Sequence, residues 1–102
     1  MLTPMDMEFS GEIIFWRGPA PWHFVPMPER ESADLQENSG SFSYGWGCIP
    51  VQARIGDTSY STSLFPKDGR YLVPVKSAVR RAEGVELGDV VTVRLNLQPV
   101  LR

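Results

Sequence analysis

The segment LFPKDGRYLVPVK, residues 64–76, contains a chain reversal and a strand that ends in Val-Pro. Asp68-Gly69 supplies the turn, because glycine adopts a positive φ without steric penalty. The run Arg70 to Val75 that follows reads as a returning strand, and Pro74 separates this strand from a helix that begins near Lys76. The segment therefore predicts a β-hairpin that leads directly into a short helix.

The same order of features occurs earlier in the chain. HFVPMPERESADLQ (residues 23–36) and YLVPVKSAVRRAEG (71–84) both place an apolar pair before Val-Pro and a short helix after it. Pro28 suits the first turn of a helix over 29–37, and Gly84 suits the end of a helix over 77–83. Because each segment lies between alternating strands, the chain predicts two pseudo-repeated strand–strand–helix–strand halves.

Alternation of apolar and polar residues marks the strands around these two segments. A period of two is the signature of a half-buried β-strand, and the matching stretches are 8–16, 22–27, 47–55, 58–65 and 90–97. The expected fold is mainly β, a small double-split β-barrel with two short helices. We expect one barrel domain over residues 8–98, with tails at 1–7 and 99–102.

Composition and charge restrict the classes of function. The 102 residues carry ten basic and twelve acidic side chains, a net charge of −2 that gives no overall attraction to nucleic acid. Cys48 is the only cysteine, so an intrachain disulfide and a cysteine-based zinc site are excluded. The sequence shows neither a signal peptide nor an apolar run of about 20 residues. We expect a cytoplasmic protein with no metal, no cofactor and no membrane partner.

Part of the second half resembles a known family of small barrels. GRYLVPVKSAVRRAEGVELGDVVTVRL is similar to the swapped-hairpin element of AbrB- and MazE-like proteins, with Gly84 and Gly88-Asp89 at the characteristic turn. This resemblance covers about a quarter of the chain. It implies a two-fold barrel and, as one alternative, AbrB-like binding of nucleic acid.

A wider resemblance runs from Phe9 to Leu97 and covers most of the chain. The succession resembles an uncharacterised bacterial family of domains of unknown function, through the stretches FSGEI, GPAPWHFVPMP, WGCIPVQARIG, TSLFPKDGRYLVPVK and VRRAEG. The resemblance implies a single-chain double-split β-barrel related to the AbrB barrel. Some relatives carry a C-terminal domain of the YdeI/OmpD-associated, bacteriocin-protection type, which we expect this chain to lack. It implies no catalytic residues.

The candidate ligand-binding residues are aromatic and cationic. Tryptophans can line an apolar pocket with a few polar groups, or they can fill the core of a small barrel. Basic residues around the 64–76 hairpin would contact phosphates in a nucleic-acid binder, or they simply face solvent. The candidates are Trp16, Trp22, His23, Trp46, Lys67 and Arg70.

Catalytic residues are not expected from the local sequence. His23, the only histidine, has no acidic or metal-ligating neighbour at a useful spacing, and Glu12 or Asp57 could meet it only through the fold. We therefore expect a non-catalytic module that binds a small molecule or a protein, as a monomer or a homodimer. The alternatives are nucleic-acid binding and an enzyme whose site assembles around His23.

Overall fold

The computed structural model describes residues 5–17, 22–37 and 49–97, apart from the side chain of Trp22. These residues form seven strands and two helices. In chain order they are β1 (Met5–Glu12), β2 (Ile14–Trp16), β3 (Trp22–Pro26), α1 (Glu29–Glu37), β4 (Ile49–Ile55), β5 (Thr58–Lys67), β6 (Arg70–Pro74), α2 (Ser77–Glu83) and β7 (Val90–Leu97). The mainly β class and the two predicted helices are confirmed.

One curled sheet contains all seven strands in the order β1-β7-β4-β5-β6-β3-β2. Its two end strands, β1 and β2, are consecutive in the chain and are separated by Ile13 alone. The Ile13 N–H donates to Asp89 O at 2.9 Å, and the Gly88 N–H donates to Ile13 O at 2.9 Å. Because the chain passes from β1 directly into β2, the two ends of the sheet are joined through Ile13, and the sheet takes the curled, barrel-like form that the sequence predicted.

A pseudo-two-fold axis relates the two halves of the sheet. β3 pairs with β6 around Val25 and Val73, so the two Val-Pro segments are hydrogen-bonded to each other. Matching bonds flank this pair: the Met27 N–H donates to Tyr71 O at 2.8 Å, and the Val75 N–H donates to His23 O at 2.9 Å. Met27 thus corresponds to Val75 and His23 to Tyr71, as the repeated sequence pattern predicted.

The core fills the inside of the curled sheet. β4 and β7 turn alternate residues inward, and both helices add apolar side chains to the same cluster. Fully or almost fully buried members from different elements include Ile13, Val25, Leu35, Ile55, Val73, Val79 and Val93. Because one cluster contacts every layer, the strands and helices form a single packing unit.

α1 is fixed to the sheet by a buried hydroxyl group. Ser32 is fully buried, and its Oγ donates to Met27 O at 3.2 Å and accepts from the Tyr71 N–H at 3.3 Å. Arg80 occupies the equivalent place in α2, where its Nη1 donates to Val75 O at 2.7 Å. Both helices therefore satisfy the carbonyl that follows the Val-Pro segment, with different side chains.

The predicted strands differ from the observed ones mainly at their ends. The stretch 8–16 is two strands. The Ile13 N–H still bonds to Asp89 O in the register of the β1–β7 ladder, but the Ile13 C=O accepts from the Gly88 N–H, and from Ile14 onward the chain pairs with β3. β1 begins at Met5, within the segment expected to be a tail, and pairs with β7 up to Leu97. β5 continues through Pro66 to Lys67 and pairs there with β6.

Gly11 marks a close approach between β1 and β3. A Cβ added at Gly11 would lie 2.8 Å from Cγ1 of Val25 and 3.3 Å from Pro26 O. Because Val25 is fully buried, its methyl group has little room to move away. We expect Gly11→Ala to lower the free energy of unfolding by about 1–3 kcal/mol in chemical denaturation.

Two further variants separate this steric effect from a general effect of substitution in β1. Val25→Ala removes the clashing methyl group, so Gly11→Ala combined with Val25→Ala should lose less stability than the sum of the single losses. Ser10→Ala, on the exposed side of the same strand, removes only an exposed hydrogen bond to Thr92 and should cost less than about 1 kcal/mol. Equal stability of the Gly11→Ala and Ser10→Ala variants would contradict the close approach.

Candidate functional site: the aromatic–cationic face

One outer face of the sheet carries aromatic and basic side chains from three strands. Trp16 ends β2, Phe24 lies in β3, and Phe65 and Lys67 are alternate residues near the end of β5. The register places them on the same face, because Ile14 pairs with Phe24 and Phe65 pairs with Leu72. We call these four residues (Trp16, Phe24, Phe65 and Lys67) the aromatic–cationic face.

The rings of this face contact one another around Phe24. The Trp16 and Phe24 centroids are 6.0 Å apart at 52°, and the Phe24 and Phe65 centroids are 6.1 Å apart at 88°. Both separations lie within the range of favourable aromatic pairs. Phe24 is only 3% exposed, whereas Trp16 and Phe65 are 37% and 38% exposed. The rings of Trp16 and Phe65 are therefore accessible to solvent, and both pack against the buried ring of Phe24.

Lys67 brings positive charge onto the same face. Its Nζ lies 4.8 Å from the centroid of the Trp16 ring, within the distance of a cation–π interaction. The same ammonium group is 3.3 Å from a carboxylate oxygen of Asp68, which is almost fully exposed. Such an exposed ion pair contributes little, so Lys67 remains available to a stronger anionic partner.

Arg70 lies directly opposite Lys67 in the β5–β6 ladder. A cavity of about 200 Å³ lies at this end of the hairpin, and its lining includes Gln36, Lys67, Asp68, Gly69 and Arg70. Gly69 has a φ of +78°, which the tight turn requires and which other residues adopt rarely. The turn thus holds two cations side by side next to a small polar cavity.

His23 lies on the opposite face of β3 from Phe24. It pairs with Phe15, whose ring centroid is 5.2 Å away in an edge-on contact at 73°. Burial, and after it the positive charge of Arg80, lower the pKa of His23 below its ordinary value of 6.5. His23 occupies the position that buried Tyr71 has in the other half, so its placement is dictated by the fold and not by the aromatic–cationic face.

The structure brings some of the predicted site residues together and separates others. Trp16, Lys67 and Arg70 belong to one surface, and Trp22 is opposite Trp16 in the β2–β3 ladder, although its side chain is not described. Trp46 lies outside the described residues, as does Cys48. The sequence reasoning missed Phe24 and Phe65, which pairing the two predicted hairpins in register would have revealed.

The acidic residues suggested as partners for His23 are found elsewhere. Glu12 pairs with Val90 at the end of β1, and Asp57 lies in the β4–β5 turn, 3.7 Å from a guanidinium nitrogen of Arg54. Among residues 5–17, 22–37 and 49–97, no group of three or more His, Cys, Asp or Glu side chains is placed to hold a metal ion. In that same part of the chain, neither helix has the length and apolar character needed to cross a membrane.

Comparison with models of known protein families identifies the family of this chain. The model described as "Domain of unknown function (DUF1905)" matches residues 9–95, which is most of the sequence. The chain belongs to this family. No curated protein sequence matches it significantly. The expected membership of a family of domains of unknown function is confirmed, and this DUF1905 domain has the curled barrel-like sheet described above.

The environment of His23 predicts its titration. Since the chain contains one histidine, its imidazole gives a single set of NMR signals, and their midpoint should lie below 6.5. Arg80→Gln should raise that midpoint only part of the way, because burial is the larger cause. The unfolded chain binds the proton more readily, so the contribution of His23 to stability is present above pH 6.5 and is lost as the pH falls further.

The adjacent arginine provides the control for this titration. Arg81 is exposed on α2, and Arg81→Gln should leave the midpoint of His23 unchanged. A midpoint at or above 6.5 in the parent protein, or equal effects of the two substitutions, would contradict this account of the histidine.

Proposed function

We propose that this DUF1905 domain is a non-catalytic binding module whose ligand-binding surface is the aromatic–cationic face. The observation that carries the proposal is the convergence of accessible Trp16 and Phe65 rings with the Lys67 ammonium group, 4.8 Å from the Trp16 centroid. Accessible aromatic rings beside a cation provide stacking surface and charge in one place. This combination suits a small molecule with a planar ring and a negatively charged group.

The pseudo-two-fold relation supports a ligand with two unlike ends. In the first half, the ladder position before the hairpin turn pairs Trp16 with Trp22. In the second half, the corresponding ladder position pairs Lys67 with Arg70. Two equivalent places in the fold thus carry aromatic residues in one case and cations in the other, and the fold itself requires neither choice.

The size of the cavity beside Lys67 and Arg70 suggests that the anionic group and the planar part of the ligand bind at different places. Pockets that enclose a whole ligand usually measure about 300–1,000 Å³, whereas the cavity beside Lys67 and Arg70 measures about 200 Å³. That volume suits an anionic group alone. The planar part of the ligand would then lie on the open surface formed by Trp16 and Phe65.

We also propose a distant relation to the AbrB and MazE barrels, a bacterial origin and a cytoplasmic location. The relation is supported by the pseudo-two-fold sheet and by the turn residues Gly84 and Gly88, whose φ values are +65° and +92°. The location is supported by the single cysteine of the sequence. We do not extend the relation to nucleic-acid binding, since acidic residues outnumber basic ones.

Anilinonaphthalene sulfonate is a suitable first probe, because it joins planar rings to a sulfonate anion. We expect the fluorescence of the probe to rise to a plateau as protein is added, with one probe molecule bound per folded chain. Trp16→Ala should weaken binding about tenfold, since stacking on one ring contributes roughly 1–3 kcal/mol. Lys67→Gln should weaken binding severalfold, and more strongly at low salt than at high salt.

Two matched variants test whether binding occurs at this face. Leu87→Ala removes an apolar side chain that is 58% exposed outside the face, and Arg81→Gln removes an exposed cation on α2. Both should bind the probe as the parent does. Binding that does not saturate, or that is equally weakened by Leu87→Ala and Trp16→Ala, would refute the proposal.

A further inference from the structure

A second surface lies on the outward face of the sheet over other strands, and it is made of polar side chains in cross-strand rows. On the outward faces of β1, β7 and β4, each row joins residues that are opposite in the ladder. One row contains Asp6, Asn96 and Gln52, and the Asn96 Nδ2 donates to Asp6 Oδ1 at 2.6 Å. The adjacent row contains Glu8, Arg94 and Arg54.

Arg54 and Arg94 are directly opposite each other on neighbouring strands. The pairs on either side, Ala53 with Leu95 and Ile55 with Val93, show that the pseudo-two-fold axis passes through the arginine pair. Like charges directly opposite in an antiparallel ladder are unfavourable. The fold therefore places two cations at facing positions, and their mutual repulsion is offset only in part by Glu8 beside Arg94 and by the exposed Asp57 beside Arg54.

Each guanidinium group is oriented by a bond from its Nε. The Arg94 Nε donates to Glu8 Oε1 at 2.6 Å, and the Arg54 Nε donates to Gly56 O at 3.0 Å. Asp57 is 3.7 Å from a terminal nitrogen of Arg54, but its side chain is fully exposed, so this ion pair is weak. Because a guanidinium group has five N–H donors, terminal N–H groups remain available for a ligand on both arginines.

These arginines line a groove of about 510 Å³, together with polar groups from four strands. Gln52, Ser59 and Asn96 contribute amide and hydroxyl groups, and Asp6 and Glu8 contribute carboxylates. The side chains of Arg54 and Arg94 are 49% and 67% exposed, so a ligand from solvent can reach both. The groove is separate from the aromatic–cationic face and shares no residue with it.

We propose that the Arg54–Arg94 pair binds an oxyanion of the phosphate class. A phosphate dianion has several acceptor oxygens and can accept hydrogen bonds from both guanidinium groups at once. It also offsets the repulsion between them. Glu8 holds Arg94 in place, but it also repels an incoming anion, and this gives the site a distinctive response to substitution.

Inorganic phosphate is the first probe, titrated at constant ionic strength with chloride as the exchanged anion. NMR should show saturable shifts of the Arg54 and Arg94 Nε–H signals at one site per chain. Arg54→Gln and Arg94→Gln should each weaken phosphate binding at least tenfold. Glycerol phosphate, titrated in parallel, identifies the source of the phosphate group: tighter binding than inorganic phosphate supports a phosphate monoester, and equal or weaker binding supports free phosphate.

Glu8→Gln distinguishes a specific phosphate site from general electrostatic attraction of phosphate to the protein surface. Removing this carboxylate keeps a hydrogen-bond acceptor for Arg94 but removes the competing negative charge, so phosphate should bind severalfold more tightly. Arg81→Gln removes an exposed cation elsewhere and should leave phosphate binding unchanged. The proposal is overturned if chloride and phosphate cause the same shifts, or if Arg81→Gln weakens phosphate binding as much as Arg94→Gln.

Discussion

The backbone of Ile13 connects the two ends of the sheet. Its N–H and C=O bond to Asp89 and Gly88, in the turn before β7, while its side chain is fully buried. The Ile13–Asp89 bond extends the register in which Glu12 pairs with Val90, and from Ile14 onward the chain pairs with β3 instead. At this one residue the chain passes from β1, the strand at one end of the sheet, to β2, the strand at the other end.

This junction also determines where the aromatic–cationic face forms. Trp16 lies three residues beyond Ile13, and the direction of β2 brings its ring to Lys67 at the end of β5. Inside the sheet, the two halves match closely, as the Val25–Val73 pair and its flanking hydrogen bonds show. Outside, the halves differ in chemistry. The corresponding ladder positions before the two hairpin turns carry Trp16 and Trp22 in one half and Lys67 and Arg70 in the other.

Much of the fold could be predicted from the sequence because its signals are local. The hairpin turn at Asp68-Gly69, the helix after Pro28 and the stop at Gly84 each depend on the conformational limits of one or two residues. The Val-Pro repeat predicted the symmetry because its two copies pair with each other. The break at Ile13 could not be predicted, since its bonding partners are Gly88 and Asp89, far along the chain.

The candidate sites were only partly predictable for a similar reason. Alternation within a strand shows which residues share a face, but it does not show which strands are neighbours. Lys67 and Trp16 were both candidates, yet their contact depends on β3 and β6 lying between β2 and β5 in the sheet. The Arg54–Arg94 pair was missed altogether, because it exists only in the register of β4 with β7.

Native-state hydrogen exchange of the Ile13 amide tests the closure of the sheet most directly. If Ile13 holds β1 and β2 together in one closed sheet, opening the Ile13–Asp89 bond requires separating β1 from β7 and should occur only when the whole domain unfolds. Its exchange free energy should then equal the global free energy of unfolding and match that of the Met27 and Val75 amides, which join β3 to β6 and its flanking residues. Exchange of Ile13 at the rate of an exposed loop, with Met27 and Val75 still protected, would contradict the closure.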